Sequence, residues 1–134
     1  MHRIVEGIVL RETETKETDK ILTVLTRTEG KLAVVARGAR RRRSRIAAAA
    51  QLLVYSEMTL YQKGNWSILD DASTIELFDG VRQDVELLAL GSYFAELTEL
   101  LTAEDVPAPE ILSLLLNALY ALGTLRREPA QVKA

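Results

Sequence analysis

Short runs of β-branched and apolar residues alternate with turn residues up to residue 77, and no helical period is sustained there. Five strands are therefore predicted, at residues 3–11, 20–27, 31–37, 52–63 and 66–77. Thr28-Glu29-Gly30 and Gly64-Asn65 are typical of the tight turns of hairpins. Five curved strands within about 75 residues favour a small closed barrel over a sandwich, which usually needs about seven. The expected fold is an OB-fold.

Gly7 lies inside the first predicted strand, where a β-bulge is expected, and the pair Asp70-Asp71 lies inside the fifth, where a bulge or an irregular crossing is expected. The stretch ETETKETD, residues 12–19, is predicted to be a polar loop between the first two strands. It lacks the glycine turn and the ligand spacing of a calcium loop, so its carboxylates are expected to be solvated. These carboxylates belong to Glu12, Glu14, Glu17 and Asp19.

Beyond Asp79-Gly80 the hydrophobic period becomes that of an α-helix. A first helix is predicted over residues 81–101, with Asp79 as its N-terminal cap. A break at residues 103–109 precedes a second helix, which starts at Glu110 and ends near Gly123. The apolar stripe of the first helix comprises Leu87, Leu90, Phe94, Leu97 and Leu101.

Two domains of an α+β protein are expected, an OB-fold barrel at residues 1–78 and an incomplete all-helical domain at residues 79–134. The second helix has almost no polar face, a pattern that only full burial tolerates. One preceding helix cannot cover that area, so either the chain lacks a C-terminal part or this helix is the seam of a dimer. The residues around its axis are Ile111, Leu112, Leu114, Leu115, Leu116, Leu119, Tyr120 and Leu122.

The composition removes most catalytic constellations. None of the 134 residues is cysteine, and the only histidine is His2, so disulfides, thiolate nucleophiles and cysteine-ligated zinc are excluded for this stretch. No run of about 18 apolar residues lacks a polar break, and the N-terminus lacks the order of a signal peptide, so a cytoplasmic protein is expected. With no convergent acid–base pocket and no phosphate loop evident, no enzyme is predicted.

Six arginines occupy nine consecutive positions, RGARRRRSR at residues 37–45, in a chain whose net charge is −2. Residues 1–45 hold 12 Lys and Arg against 6 Asp and Glu, whereas residues 46–134 hold 5 against 13. The local potential decays over about 8 Å at physiological salt, so the acidic half does not cancel the basic half. Guanidinium groups stay charged and fork their donors onto phosphate oxygens, so the run predicts a nucleic-acid site.

The candidate DNA-binding residues are these arginines, three cations expected nearby in the sheet, and two tyrosines that would share a strand face and stack on bases. They are Arg37, Arg40, Arg41, Arg42, Arg43 and Arg45, then Lys20, Arg27 and Lys31, then Tyr55 and Tyr61. Six arginines on single-stranded phosphates would give a log–log salt slope of about −4. The alternatives are a solvated basic loop and tyrosines that pack only in the core. Trp66 follows a turn and is expected at the rim of the barrel.

The stretch ETDKILTVLTRTEGKLAVVARGARRRRSR resembles the RecO family of bacterial DNA repair proteins. Members typically show Glu-x-Asp-Lys-Ile before the second strand, Thr-Arg-x-x-Gly-Lys at the hairpin, and Gly-Ala-Arg-Arg-basic-Ser after it. The matching residues here are Glu17, Asp19, Lys20 and Ile21; Thr26, Arg27, Gly30 and Lys31; and Gly38, Ala39, Arg40, Arg41 and Ser44. The later stretch SYFAELTELL is similar to the start of the family's helical domain.

This resemblance implies an OB-fold and a helical domain that do not catalyse a covalent step. It implies binding of single- and double-stranded DNA, annealing of complementary strands and, with RecR, help in loading RecA onto strands covered by the single-stranded DNA-binding protein SSB. In some members the SSB tail docks on the helical domain. No cofactor is expected in this chain, although many members hold zinc through four cysteines farther along.

Two other functions stay open on the residues alone. A protein-interaction module would use the leucine-rich helix for assembly and the arginines for an acidic partner. An RNA-binding OB domain would prefer RNA through 2′-hydroxyl contacts. Salt-sensitive DNA binding that falls when residues 40–43 become alanine would favour a DNA-binding role over the protein-interaction module.

Overall fold

A computed structural model describes residues 2–16 and 18–125 of the chain. Five strands close into a barrel in the order β1-β2-β3-β5-β4, and three helices follow. The predicted OB-fold with a helical continuation is confirmed. The elements are β1 His2–Thr15, β2 Asp19–Thr26, β3 Gly30–Ala36, β4 Tyr55–Lys63, β5 Trp66–Glu76, α1 Asp79–Arg82, α2 Val85–Leu101 and α3 Pro109–Thr124.

The long strand β1 holds the barrel together because it pairs antiparallel with β2 along its second half and with β4 along its first half. A short parallel pairing of β3 with β5, at Val34 with Ser67 and Val35 with Ile68, closes the barrel. Side chains alternate between the two faces of each strand, so every second residue fills the interior. This interior core includes Val9, Leu22, Val24, Val34, Met58, Leu60 and Leu69.

The predicted polar loop at residues 12–19 is wrong, because β1 continues to Thr15 and pairs there with Asp19. The threonines favour extended backbone, and Glu12 gains a partner, with its Oε1 2.7 Å from Lys20 Nζ. Glu17 lies outside the described residues. The strand predicted from residue 52 begins only at Tyr55, because Leu53 has a φ of 68° and turns the chain.

One of the two predicted bulges is confirmed. The register of β4 with β5 shifts between Thr59 and Leu60, and Asp70 is the extra residue. In β1 the shift falls between Val9 and Arg11, and Gly7 stays in the regular ladder, so a bulge at Gly7 is wrong.

The single helix predicted over residues 81–101 is two helices, with a break at Gln83 and Asp84. Asp84 caps α2, because its Oδ1 accepts hydrogen bonds from the N–H groups of Glu86 at 2.9 Å and Leu87 at 3.0 Å. A cap by Asp79 is therefore wrong. The predicted apolar stripe does not coincide with the buried face of α2. Leu87 is buried and Phe94 is half-buried. The other three residues are exposed: Leu90, Leu97 and Leu101. The buried face of α2 is Leu87, Gly91, Ala95 and Thr98.

The helices pack on the outer face of the barrel and share a second core with it. Ile8, Leu10 and Leu25 of the barrel meet Leu87 of α2 and the buried face of α3. Lys31 also connects the barrel to α2, because its Nζ donates hydrogen bonds to the carbonyls of Glu99 at 2.8 Å and Thr102 at 2.9 Å. These carbonyls lie at the C-terminal end of α2, where the helix dipole favours a positive charge. No described helix is long and apolar enough to cross a membrane.

Only one side of the leucine-rich helix α3 is buried. Leu112, Leu115, Leu116, Leu119 and Leu122 form that side. Leu114 and Tyr120 are exposed, so the expectation of apolar burial all around the axis is not met within the described chain. Self-association through this exposed side stays a prediction.

Candidate nucleic-acid interface

The arginine loop, residues 37–45, leaves β3 at one end of the barrel and is part of a folded connection. The connection between β3 and β4 turns repeatedly across this end, and most of its apolar residues are buried. Ala39 and Ile46 join the interior core of the barrel, together with Ala50 farther along. A rigid scaffold therefore presents the arginines, which argues against a freely solvated basic loop.

Acidic residues hold both ends of this connection. Asp19 Oδ1 accepts a hydrogen bond from the Gly38 N–H at 2.7 Å, and Glu12 Oε2 accepts one from the Leu52 N–H at 2.7 Å. The hydrogen bond from Gly38 lowers the pKa of Asp19 below its ordinary value of 3.8. Sequence reasoning treated these carboxylates as solvated, although Asp19 stands in the motif that carried the family resemblance.

Four arginines of the loop line one groove of about 600 Å³, together with Tyr61, Ile68 and Asp70. We call it the arginine groove; its arginines are Arg37, Arg41, Arg43 and Arg45. Arg37, Arg41 and Arg43 are exposed and form no ion pair with any carboxylate in the described part of the chain, and the same holds for Arg42 beside them. Their donors are therefore available to an external anion.

The two other arginines of the loop already contact carboxylates. Arg40 Nη1 lies 3.4 Å from Glu14 Oε1. Arg45 Nη2 donates to the Asp70 carbonyl at 2.8 Å and lies 3.8 Å from Asp70 Oδ1. A phosphate would have to compete with these contacts, so Arg40 and Arg45 contribute less to binding than their charge suggests.

The three further candidate cations lie outside the arginine groove. Lys20 is paired with Glu12, and its side chain is only 12% exposed. Arg27 donates to the Tyr55 hydroxyl at 2.9 Å and lies 3.3 Å from Glu6 Oε1. Lys31 caps α2 as described above. Their contacts serve the barrel and its junction with the helices.

The structure separates the two candidate tyrosines. Tyr55 is only 5% exposed, because the helices cover its part of the outer face, and its hydroxyl donates to Glu6 Oε1 at 2.6 Å. This burial raises the pKa of Tyr55, and the same hydrogen bond lowers the pKa of Glu6. Tyr61 lines the arginine groove, with its ring centroid 5.5 Å from that of His2. Of the two, only Tyr61 is placed to meet a bound base.

Replacing Asp19 tests whether its carboxylate positions the arginine loop. Asp19→Ala removes the acceptor of the Gly38 N–H and should weaken single-stranded DNA binding roughly fivefold, since one orienting hydrogen bond is lost. Asp19→Asn keeps an acceptor oxygen and should bind nearly as the parent does. Fluorescence anisotropy with a labelled oligonucleotide measures both, and equal affinities for the parent and the alanine variant would contradict the role.

The lowered pKa of Asp19 also predicts how stability depends on pH. A carboxylate with a lower pKa in the folded state stabilises that state above its ordinary pKa of 3.8. This contribution is lost as the pH falls through the lower, folded-state value. The stability difference between parent and Asp19→Asn should thus be present at neutral pH and shrink in strong acid, as urea unfolding at several pH values would show.

Two family profiles match the chain. The one described as Recombination protein O N terminal covers residues 1–78, and the one described as Recombination protein O C terminal covers residues 82–132. Among curated proteins, the chain is 36% identical over 126 residues to the DNA repair protein RecO of Acetivibrio thermocellus, covering 94% of this chain and 50% of that protein.

Two further relatives are also named DNA repair protein RecO. The one from Bacillus pumilus is 40% identical and the one from Bacillus subtilis 38% identical, each over 118 residues, 88% of this chain and 46% of that protein. The chain thus spans about half the length of the curated relatives it matches. These matches confirm the resemblance drawn from residues 17–45.

Proposed function

We propose a DNA-binding role for this chain, which belongs to the RecO family of DNA repair proteins. The arginine groove carries the proposal, because Arg37, Arg41 and Arg43 converge there without an ion pair to any described carboxylate. A polynucleotide carries condensed counterions, which are released when unpaired arginines neutralise its phosphates, and this release favours binding. Tyr61 at the same groove offers a ring to a base.

We further propose what this interface does in the whole protein. Arginines that neutralise the phosphates of two strands lower their mutual repulsion, which supports annealing of complementary single strands. Assistance to RecA loading on SSB-coated DNA together with RecR, in the bacterial cytoplasm at the nucleoid, is proposed from the resemblance of residues 17–45 to the family. The groove supplies charge and hydrogen-bond donors, which suit binding rather than covalent chemistry. This chain has no cysteine, so its own residues do not fit a zinc site of four cysteines.

Salt dependence tests the groove quantitatively. If Arg37, Arg41, Arg42 and Arg43 contact phosphates, the log–log slope of affinity for oligo-dT against salt should be about −3, from roughly 0.7 counterions released per contact. A slope of about −4 would mean that Arg40 and Arg45 leave their carboxylates and join. Anisotropy titrations at several salt concentrations measure the slope, and absence of binding in dilute buffer would contradict the proposal.

Annealing is measured separately, by the rate at which two labelled complementary oligonucleotides quench each other. We expect this protein to accelerate the reaction at low salt and to lose that effect at high salt. A matched RNA pair distinguishes the RNA-binding alternative, because 2′-hydroxyl contacts would favour RNA over DNA.

A further inference from the structure

The β3–β4 connection, residues 37–54, contains the arginine loop and consists of a continuous series of tight turns. Backbone N–H groups along it donate to the carbonyl three positions earlier, and each turn begins on a residue of the turn before. Hydrogen-bonded turns that share residues leave the backbone little freedom, so a displacement at one end is transmitted to the other. The donating residues are Arg41, Ser44, Ala47, Ala50, Gln51 and Val54.

The far end of this connection lies where the barrel meets the helices. The Leu52 N–H donates to Glu12 Oε2 of β1, and Leu53 is buried in the core that the barrel shares with the helices. Leu53 also packs closely on Gly91 of α2, where an added Cβ would lie 3.0 Å from Leu53 Cδ1. The arginine end is fixed by Asp19 of β2 instead. Only the far end is therefore in contact with the helices.

Arg82, the last residue of α1, reaches from the helices to this far end. Its Nη2 donates to the Leu52 carbonyl, and its Nε donates to the Leu77 carbonyl at 2.9 Å. The side chain is half-buried and forms no ion pair with any carboxylate that the structure describes. Burial lowers the pKa of Arg82. A guanidinium withdrawn from water in this way depends on both carbonyls for its hydrogen bonds, so it holds the connection firmly.

The position of Arg82 is set by the helices. Its neighbour Val81 is buried in the core that α1 shares with α2 and α3. Gly80 lies against Gly123 of α3, where an added Cβ would be 2.7 Å from the Gly123 carbonyl oxygen. A displacement of α3 against the barrel therefore reaches Leu52 through α1 and Arg82.

We propose that Arg82 is a positioning residue for the arginine loop, an inference that rests on the DNA-binding function proposed above. It holds Leu52 at one end of a series of turns whose other end presents Arg41, so the helices set the position of the arginine groove. Arg82 itself lies outside that groove. A shift of the helices against the barrel thereby changes the affinity for DNA without any contact between the helices and the DNA.

Hydrogen exchange followed by mass spectrometry tests the structural part of this proposal without DNA. In Arg82→Met, which keeps the aliphatic stem, peptides from residues 38–54 should exchange about tenfold faster, since two hydrogen bonds are lost at the far end. Lys31→Met is the matched control, because it also removes two hydrogen bonds to carbonyls of the helical part, but at the other end of α2. It should leave exchange in residues 38–54 unchanged.

Equal acceleration of these peptides in both variants, or none in Arg82→Met, would overturn the proposal. Should Arg82→Met fail to fold, Arg82→Lys gives the same test. It replaces the fork by a single ammonium, which cannot serve both carbonyls in the same geometry, so the same peptides should exchange about threefold faster.

The affinity for oligo-dT tests the functional part, at a temperature where parent and variant are both folded. Arg82→Met should lower the affinity about threefold at an unchanged log–log salt slope, because the loop arginines are less well held but equal in number. A slope smaller by about 0.7 would mean that Arg82 itself contacts a phosphate, which contradicts a positioning role. Unchanged affinity despite faster exchange would also contradict it, while the proposed function stands. Absence of any DNA binding by the parent in dilute buffer would overturn the proposed function itself.

Discussion

Simultaneous replacement of Arg41, Arg42 and Arg43 by alanine should lower the affinity for single-stranded DNA roughly 100-fold at moderate salt. Each charged contact with a phosphate is expected to contribute about 1 kcal/mol, and about 1.4 kcal/mol is a factor of ten. Duplex binding should fall in parallel, because phosphates are the same in both ligands. The log–log salt slope should change by about 2, from about −3 toward −1. Anisotropy titrations at four salt concentrations give both quantities.

The expected loss concerns binding and not folding, since all three side chains are exposed and form no described ion pair. Thermal unfolding of the triple variant should therefore match that of the parent. Arg11→Ala is a suitable control, because Arg11 is also exposed but lies outside the arginine groove and pairs with Glu99 at 2.9 Å. It should change the affinity less than twofold. Unaltered binding by the triple variant would place the DNA elsewhere on the molecule.

Hydrophobic period and turn residues predicted the number of strands and their approximate places along the chain, because both signals depend on neighbouring residues. The boundaries that were wrong depend on contacts between side chains of different elements. The end of β1 is extended by the pairing of Glu12 with Lys20 across the sheet. The break between α1 and α2 brings Gly91 of α2 against Leu53 and Leu119, where an added Cβ would lie 3.0 Å from Leu53 Cδ1. Tertiary packing overrides local propensity in both places.

In the candidate site, too, the features set by neighbouring residues were predicted and those set by tertiary contacts were not. The run of arginines is visible in the sequence, so a basic site at residues 37–45 could be predicted. The sequence could not predict which of these arginines form no ion pair, because the partner of Arg45 is Asp70, which lies in β5. Alternation placed Tyr55 and Tyr61 on one face of β4, but only the packed helices reveal that Tyr55 is covered. The sequence places Trp66 at the start of the fifth strand, but its proximity to Ile21 and Val35 arises only in the closed barrel.

Gly30→Ala should lower the free energy of unfolding by roughly 3 kcal/mol or more, because two effects combine at this turn. Gly30 has a φ of 74°, and an alanine there adds about 1 kcal/mol of left-handed strain. An added Cβ would also lie 2.4 Å from the backbone oxygen of Val106, which is too close for any contact. The β2–β3 turn would have to separate from the α2–α3 connection, breaking the hydrogen bond from the Asp105 N–H to the Lys31 carbonyl. Urea unfolding measures the loss, and the melting temperature should fall by roughly 10 °C.

Gly64→Ala is a control that introduces the left-handed backbone strain without the steric contact. Gly64 has a similar φ of 63°, but an added Cβ there would meet no atom within 4 Å. Its substitution should therefore cost only the strain, about 1 kcal/mol. The difference in unfolding free energy between Gly30→Ala and Gly64→Ala measures the cost of separating the β2–β3 turn from Val106. Equal losses would mean that the turn moves away from the helices at no cost, and that Lys31 rather than close packing carries the junction.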